Sequence, residues 1–222
     1  MIRGKQEISI NTIKEISELL VKAGRELYKE GLVKGNSGNI SAKIPGTDTF
    51  LIKASGACMK LLKPEELVLV DLQGNKVRGE MNTSLETPMH AGVYLARSDV
   101  QAVVHTHAPM ATAFGIAKTE IVPLQVEMFM LLPNGVPIIP FEHPGSKALA
   151  DAVQETIANY DAVILENHGV VTVGSTIEIA CNLNEMVEEA AKIQLATMIL
   201  AGREALDLVK LKEKFKTENI VD

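Results

Sequence analysis

Short apolar runs alternate along this chain with both tight turns and stretches of helical periodicity, and that mixed order narrows the folds open to it. Strand-like segments at 40–44, 50–54, 68–72 and 76–77 follow one another through turns, with Gln73-Gly-Asn75 as a hairpin between the last two. Segments of the same kind at 99–105, 138–141, 161–165 and 170–173 are interleaved with helical patterns at 108–117 and 147–158. Hairpins beside helices point to a mixed sheet covered by helices rather than to a doubly wound parallel fold. Longer helices are expected near both ends. Thr12-Ile-Lys-Glu15 reads as a capping box, followed by Ile13, Ile16, Leu20, Ala23 and Leu27 at helical spacing, with Gly31 as the far cap. Residues 176–201 form the other, with Ala180, Ala190, Ala191 and Ala196 suited to close packing. A further helix follows Thr83-Ser84 and carries Leu85, Met89, Val93 and Ala96 on one side. Pro64-Glu-Glu starts a short helical turn.

No repeat, low-complexity tract or linker interrupts the 222 residues, so the whole chain, 1–222, is read as one domain. Such a length buries a core without a disulfide or a metal staple. Cys58 and Cys181 make neither a disulfide framework nor a zinc knuckle, which suits a reducing compartment. With 22 basic against 28 acidic residues the net charge is −6, which argues against a nucleic-acid binder. An anionic ligand must then be held by local geometry. The charged N-terminal stretch is unlike a signal peptide, and no apolar run is long enough to span a bilayer. A cytoplasmic protein without membrane attachment is expected.

Chemistry concentrates at the histidines. His105 and His107 close the apolar run Ala102-Val-Val-His-Thr-His-Ala108, and alternate strand residues point to one side, so both rings can reach one point. His168, in Glu166-Asn-His-Gly169 between two apolar strands, is the natural third ligand, with Gly169 letting the backbone turn sharply. Three protein ligands leave zinc a fourth position for substrate. His90 and His143 suit surface or hydrogen-bonding roles better than ligation.

Glu86 stands near a helix start in Thr83-Ser-Leu-Glu-Thr87 and shares a face with His90. It reads either as a helix-start carboxylate favoured by the dipole or as a base beside the metal. The same helix start with Ser84, the turn around Asn39 and the turn Ser55-Gly56 offer small-polar donors for a phosphate.

Taken together, Gly35-Asn-Ser-Gly-Asn-Ile-Ser41, Ser55-Gly56, Ser84-Leu-Glu86, Ala102-Val-Val-His-Thr-His-Ala108 and Glu166-Asn-His-Gly169 resemble the class II aldolase/adducin family, in the family's order. The tail Glu213-Lys-Phe-Lys-Thr217 is similar too. The resemblance implies a three-layer α/β/α domain with a mixed, mainly antiparallel sheet, assembled as a homotetramer with active sites at subunit interfaces. It also implies one zinc per subunit on His105, His107 and His168, with Glu86 ligating the metal and acting as acid/base once substrate displaces it. Phosphate contacts fall on Gly38, Asn39, Ser55, Gly56, Ser84 and Leu85.

The implied reaction is reversible cleavage of a ketose 1-phosphate, such as L-fuculose 1-phosphate, to dihydroxyacetone phosphate and an aldehyde. Sibling activities are ribulose-5-phosphate 4-epimerase, whose members carry Asp where this chain has Glu86, and methylthioribulose-1-phosphate dehydratase. Adducin heads keep the fold as an interaction module. The chain departs from the aldolase pattern at Leu85, where the family has a second serine. It departs also at Glu127 and Glu218, which fall where the aldolases carry tyrosines.

Overall fold

The computed structural model describes residues 10–202; the tail motif 213–217 and Glu218 lie outside them. In chain order the elements are α1 (Ile10–Lys29), β1 (Asn39–Lys43), β2 (Thr49–Lys53), β3 (Leu67–Asp71), β4 (Lys76–Arg78), α2 (Thr87–Ala96), β5 (Ala102–Thr106), α3 (Pro109–Ile116), α4 (Val126–Leu131), β6 (Ile138–Ile139), α5 (Lys147–Ile157), β7 (Ala162–Leu165), β8 (Gly169–Gly174) and α6 (Ile177–Ala201). The strands form one sheet in the order β4-β3-β2-β1-β5-β8-β7-β6. Every pairing is antiparallel except β6 with β7. Helices cover both faces, giving the expected three-layer α/β/α architecture with a mixed, mainly antiparallel sheet.

Strand alternation explains the two cores. In β5, Ala102 and Val104 join Leu20, Leu27 and Val187 under α1, α3 and α6. Val103 points the other way, into Met89, Val93, Leu149 and Val153 of α2 and α5. Residues buried on both sides of the sheet account for strands that read as unbroken apolar runs. The elements are therefore held by packing more than by propensity.

Several local signals hold in detail. Gly31 takes φ +79, and the bonds Leu32 N–H to Leu27 O and Gly31 N–H to Tyr28 O close a Schellman cap. Thr176 caps α6 by accepting from the Ile179 amide at 3.2 Å. The 73–75 turn is closed by Asp71, whose Oδ1 accepts from the Gln73 and Asn75 amides.

Other expectations are corrected. Thr12 lies inside α1, which already includes Ile10, rather than at its N-cap; Ile13 and Ile16 pack on the core, so the apolar face and not the capping-box pattern fixes this helix. Helix α2 begins at Thr87, because Pro88 belongs in a first turn, where its missing N–H is not needed. Leu85 therefore precedes the helix and is 74% exposed rather than part of its apolar face. Strand β6 stops at Ile139, before Pro140. The Phe141 amide beyond it donates to the Glu166 carboxylate at 3.2 Å instead of to the sheet. Helix α4 has no counterpart in the sequence reading, since six nearly all-apolar residues show no period.

Candidate active site

The central strands deliver the site. β1, β5 and β8 are neighbours, and Asn39 stands opposite His105, which stands opposite Val171. His105 and His107, two apart, point to the same side of the sheet, toward the start of α2. His168 arrives from the turn between β7 and β8. Possible ligand atoms of His105, His107 and His168 all lie within 4.8 Å of one another. Their ring centroids are 4.7–5.1 Å apart, each pair edge to face.

Gly169 makes this convergence possible, for a reason different from the expected sharp turn. The left-handed residue of the turn is Asn167, at φ 58. A Cβ on Gly169 would stand 2.1 Å from the Thr106 carbonyl oxygen and 3.1 Å from both the His105 and His107 rings. Glycine is required there by close approach of two strands, not by its dihedral freedom.

Helix α6 braces the same corner. Thr106, between the two histidines, donates to Asn184 at 2.6 Å, and Asn184 donates in turn to Thr172 of β8. The buried Glu188 carboxylate accepts from the Met110 and Ala111 amides and so caps α3 just after His107. Glu166 fixes the other side of the His168 turn through Lys118, at 3.0 Å.

Glu86, at the N-cap of α2, completes the cluster. Its Oε2 lies 3.2 Å from His105 Nε2 and its Oε1 lies 3.3 Å from His168 Nε2. The Asn39 amide donates to Oε2 at 2.7 Å. Burial works to raise the Glu86 carboxyl, but His105, the Asn39 hydrogen bond, His168 and His90 together outweigh it and hold it at about 2. Burial, reinforced by the neighbouring rings and opposed by Glu86, pushes His107 and His168 down to about 4. Near neutrality the site thus presents the Glu86 carboxylate beside the unprotonated imidazoles of His107 and His168.

These donors fit a cation. His105 Nδ1 faces the Val170 carbonyl at 3.0 Å, an atom that only accepts, so Nδ1 carries a proton and in the neutral ring Nε2 keeps its lone pair. That lone pair lies beside the Glu86 carboxylate, 3.2 Å from Oε2, with no donor between the two acceptors. His105 Nε2, Glu86 Oε1 and His168 Nδ1 are buried atoms without a hydrogen-bond partner. Such a cluster is costly without a positive charge at its centre. Three imidazoles and a carboxylate are the donor types that zinc takes.

The remaining expected positions surround this centre. Gly38, at φ +69, packs so tightly that a Cβ would meet the His105 carbonyl oxygen at 2.8 Å. The Asn39 side chain turns inward to Glu86 and His90. Ser55 and Gly56 form an exposed turn tied to the 82–86 segment by the Ser55 N–H to Asn82 O bond. Lys53 joins that turn to the loop around Gly35–Gly38, donating to the Asn36 and Ala57 carbonyls at 3.2 and 2.7 Å. Its ammonium is buried, and desolvation lowers its pKa against the pull of Cys58, Glu66 and Glu86. Ser84 is half-buried and accepts from the Glu86 amide, while Leu85 points outward. His143 is exposed beside Phe141 and lies outside the histidine cluster. Glu127 is exposed in the first turn of α4.

A buried polar arrangement absent from the sequence reading lies behind Glu86. His90 is fully buried and joins Asn39 to Ser41, and Ser41 meets the Tyr94 hydroxyl at 2.7 Å. The only signals were period 2 in β1 and i, i+4 spacing in α2, each ordinary by itself.

A mainly antiparallel three-layer sheet thus brings three histidines and a glutamate to one point. Residues 18–195 match the family described as Class II Aldolase and Adducin N-terminal domain, and the chain belongs to that family. It is 33% identical over 202 residues to 5-deoxy-D-ribulose 1-phosphate aldolase of Bacillus thuringiensis serovar kurstaki, covering 90% of this chain and 94% of that one. It is 29% identical to 3-oxo-tetronate 4-phosphate decarboxylase of Cupriavidus necator, covering 93% of this chain and 99% of that one. Among solved structures, L-fuculose-1-phosphate aldolase from Thermus thermophilus superposes with a TM-score of 0.77 at 28% identity, over 86% of this chain and 97% of that one. Among the described residues, no helix is long and apolar enough to cross a membrane.

Proposed function

We propose that this protein is a zinc-dependent aldolase that cleaves a ketose 1-phosphate reversibly to dihydroxyacetone phosphate and an aldehyde. The carrying observation is the cluster of unpartnered, buried donor atoms on His105, His168 and Glu86. In this reading His105, His107 and His168 hold one zinc per subunit, and Glu86 supplies the acid/base function. When bound, the metal supplies Lewis-acid stabilisation of the enediolate formed as the carbon–carbon bond breaks. Glu86, buried beside the histidines and held ionised, carries the proton to and from the dihydroxyacetone phosphate carbon. The turns at Gly38-Asn39, Ser55-Gly56 and Ser84-Leu85 hold the phosphate through backbone N–H groups and hydroxyls, with Lys53 as the buried positive charge behind two of them. Catalysis acts within one domain spanning the chain, in the cytoplasm, in a homotetramer whose sites lie at subunit interfaces.

A second reading rests on Glu127. Protonating an aldehyde oxygen calls for a donor such as tyrosine, whereas this exposed position holds a carboxylate. Decarboxylation of a 3-oxo acid phosphate forms the same kind of enediolate and has no aldehyde oxygen to deprotonate on cleavage or protonate on condensation. Incubating the zinc-loaded protein with ketose 1-phosphates and, separately, with 3-oxo-tetronate 4-phosphate decides between them. Dihydroxyacetone phosphate with an aldehyde supports the aldolase, and carbon dioxide release supports the decarboxylase. Loss of water without carbon–carbon cleavage, or a folded protein that takes up no zinc, overturns both.

A further inference from the structure

Two short spacings build a buried polar chain that ends on Glu86. Asn39 and Ser41 alternate on one face of β1, and His90 and Tyr94 stand one helical turn apart on α2. The packing of strand on helix interleaves them. Tyr94 OH lies 2.7 Å from Ser41 Oγ, which lies 2.6 Å from His90 Nδ1. His90 Nε2 meets Asn39 Oδ1 in a short contact, and Asn39 Nδ2 meets Glu86 Oε2 at 2.7 Å. All five side chains are buried, His90 and Ser41 completely.

Chemistry gives this chain one direction. The Asn39 carbonyl only accepts, so His90 Nε2 must carry a proton and donate it. In the neutral ring Nδ1 then accepts from the Ser41 hydroxyl, and Ser41 accepts from Tyr94. Burial favours that neutral ring, pushing His90 down to about 3 against the pull of Glu86. A lone asparagine amide can sit either way round. Here a flip would set Oδ1 against the Glu86 carboxylate and Nδ2 against the His90 N–H, two repulsive contacts in a buried site. The two oxygens of Glu86 are thereby made unequal: Oε2 takes the Asn39 hydrogen bond, whereas Oε1 has none.

We propose that Tyr94, Ser41 and His90 are positioning residues that lock the Asn39 amide and thereby reserve Glu86 Oε1 as the oxygen that exchanges the proton with substrate. The inference rests on the acid/base role proposed for Glu86. It gives a function to a histidine outside the metal cluster and to three side chains that reach no substrate.

The test uses the full-length protein. In the metal-free form, nitrogen-15 NMR of the imidazoles reads the His90 tautomer without any reference to activity. The Nε2–H form is expected, and the Nδ1–H form overturns the proposal. In the zinc-loaded form, exchange of carbon-bound hydrogen of dihydroxyacetone phosphate with deuterated water is measured with zinc content. His90→Leu is expected to lower kcat for exchange about 100-fold, the loss typical of a misplaced group, with KM and zinc content unchanged. His90→Gln, whose amide nitrogen reaches the place of Nε2, is expected to recover most of that loss. Equal impairment in both variants, or wild-type kcat in His90→Leu, overturns the proposal. Should His90→Leu not fold, Ser41→Ala takes its place: a fall in kcat at constant KM supports the chain, and an unchanged kcat overturns it. A wild-type protein that catalyses no exchange counts against the acid/base role of Glu86, while the NMR result still decides the tautomer.

Discussion

Gly169 and Thr106 pass so closely that one added methyl would stand 2.1 Å from the Thr106 carbonyl oxygen. The obstacle is backbone, so it cannot swing aside as a side-chain tip would. The same methyl would press on the rings of His105 and His107. Gly169→Ala is therefore expected to destabilise the fold by about 3 kcal/mol, the upper end of ordinary overpacking costs. Urea unfolding measures the loss. Wild-type stability would mean that β5 and β8 separate without cost, and the account of how the histidines converge would be wrong.

Glu86→Gln keeps the shape of the side chain and an oxygen able to accept from Asn39, but removes the charge and the exchangeable proton. The fold and zinc uptake are expected to survive. Turnover is expected to fall by about 10²–10⁴, the usual contribution of a positioned acid or base. Steady-state kinetics at saturating zinc, with thermal unfolding as the fold control, checks this. Turnover within a few-fold of wild type would take Glu86 out of the proton transfer.

How far the sequence foretold this site depends on the range of the signal. The His105–His107 pair was legible because strand period is local and both residues lie in one apolar run. His168 was legible through its setting, although the role of Gly169 was not: a clash with a strand far away along the chain leaves no local mark. His90 looked like a spare histidine because its partners, Asn39 and Ser41, come from another element and only the sheet brings them near. Leu85 was misplaced since helical periodicity does not say which turn comes first, and Pro88 decides that. The sheet itself was legible from the order of hairpins and helices. Its edge at β6 was overextended because Pro140 ends the pairing and Glu166 takes up the Phe141 amide.

His107 lies within the cluster and His143 outside it, which makes a matched pair of substitutions. His107→Ala is expected to leave no stoichiometric zinc after dialysis. Losing a ligand should weaken binding by more than the roughly 10–100-fold typical of outer hydrogen-bond partners. His143→Ala, on an exposed ring, is expected to retain zinc and turnover. Metal analysis of both proteins is sufficient. Zinc retained in His107→Ala and lost in His143→Ala would reverse the ligand assignment.

The depressed imidazoles also set the acid limit of the metal-free fold. His90 is held at about 3 and His107 and His168 at about 4, against an unfolded value near 6.5. Above pH 6.5 neither state holds these protons and the shifts cost nothing. As pH falls from 6.5 toward 4 the unfolded chain binds protons that the folded chain refuses, so stability drops with each step. Glu86, held at about 2 against 4.5, adds its own loss only below 4.5, as the unfolded carboxylate protonates first. Both effects have the same sign, so the metal-free protein is expected to lose melting temperature steadily from pH 6.5 to pH 4. Zinc is expected to shift this curve to lower pH, since in the proposed site protons would have to displace it from His107 and His168. Melting curves taken at half-unit pH intervals, with and without zinc, test both statements. A metal-free protein as stable at pH 4.5 as at pH 7 would mean that these rings accept protons freely inside the fold.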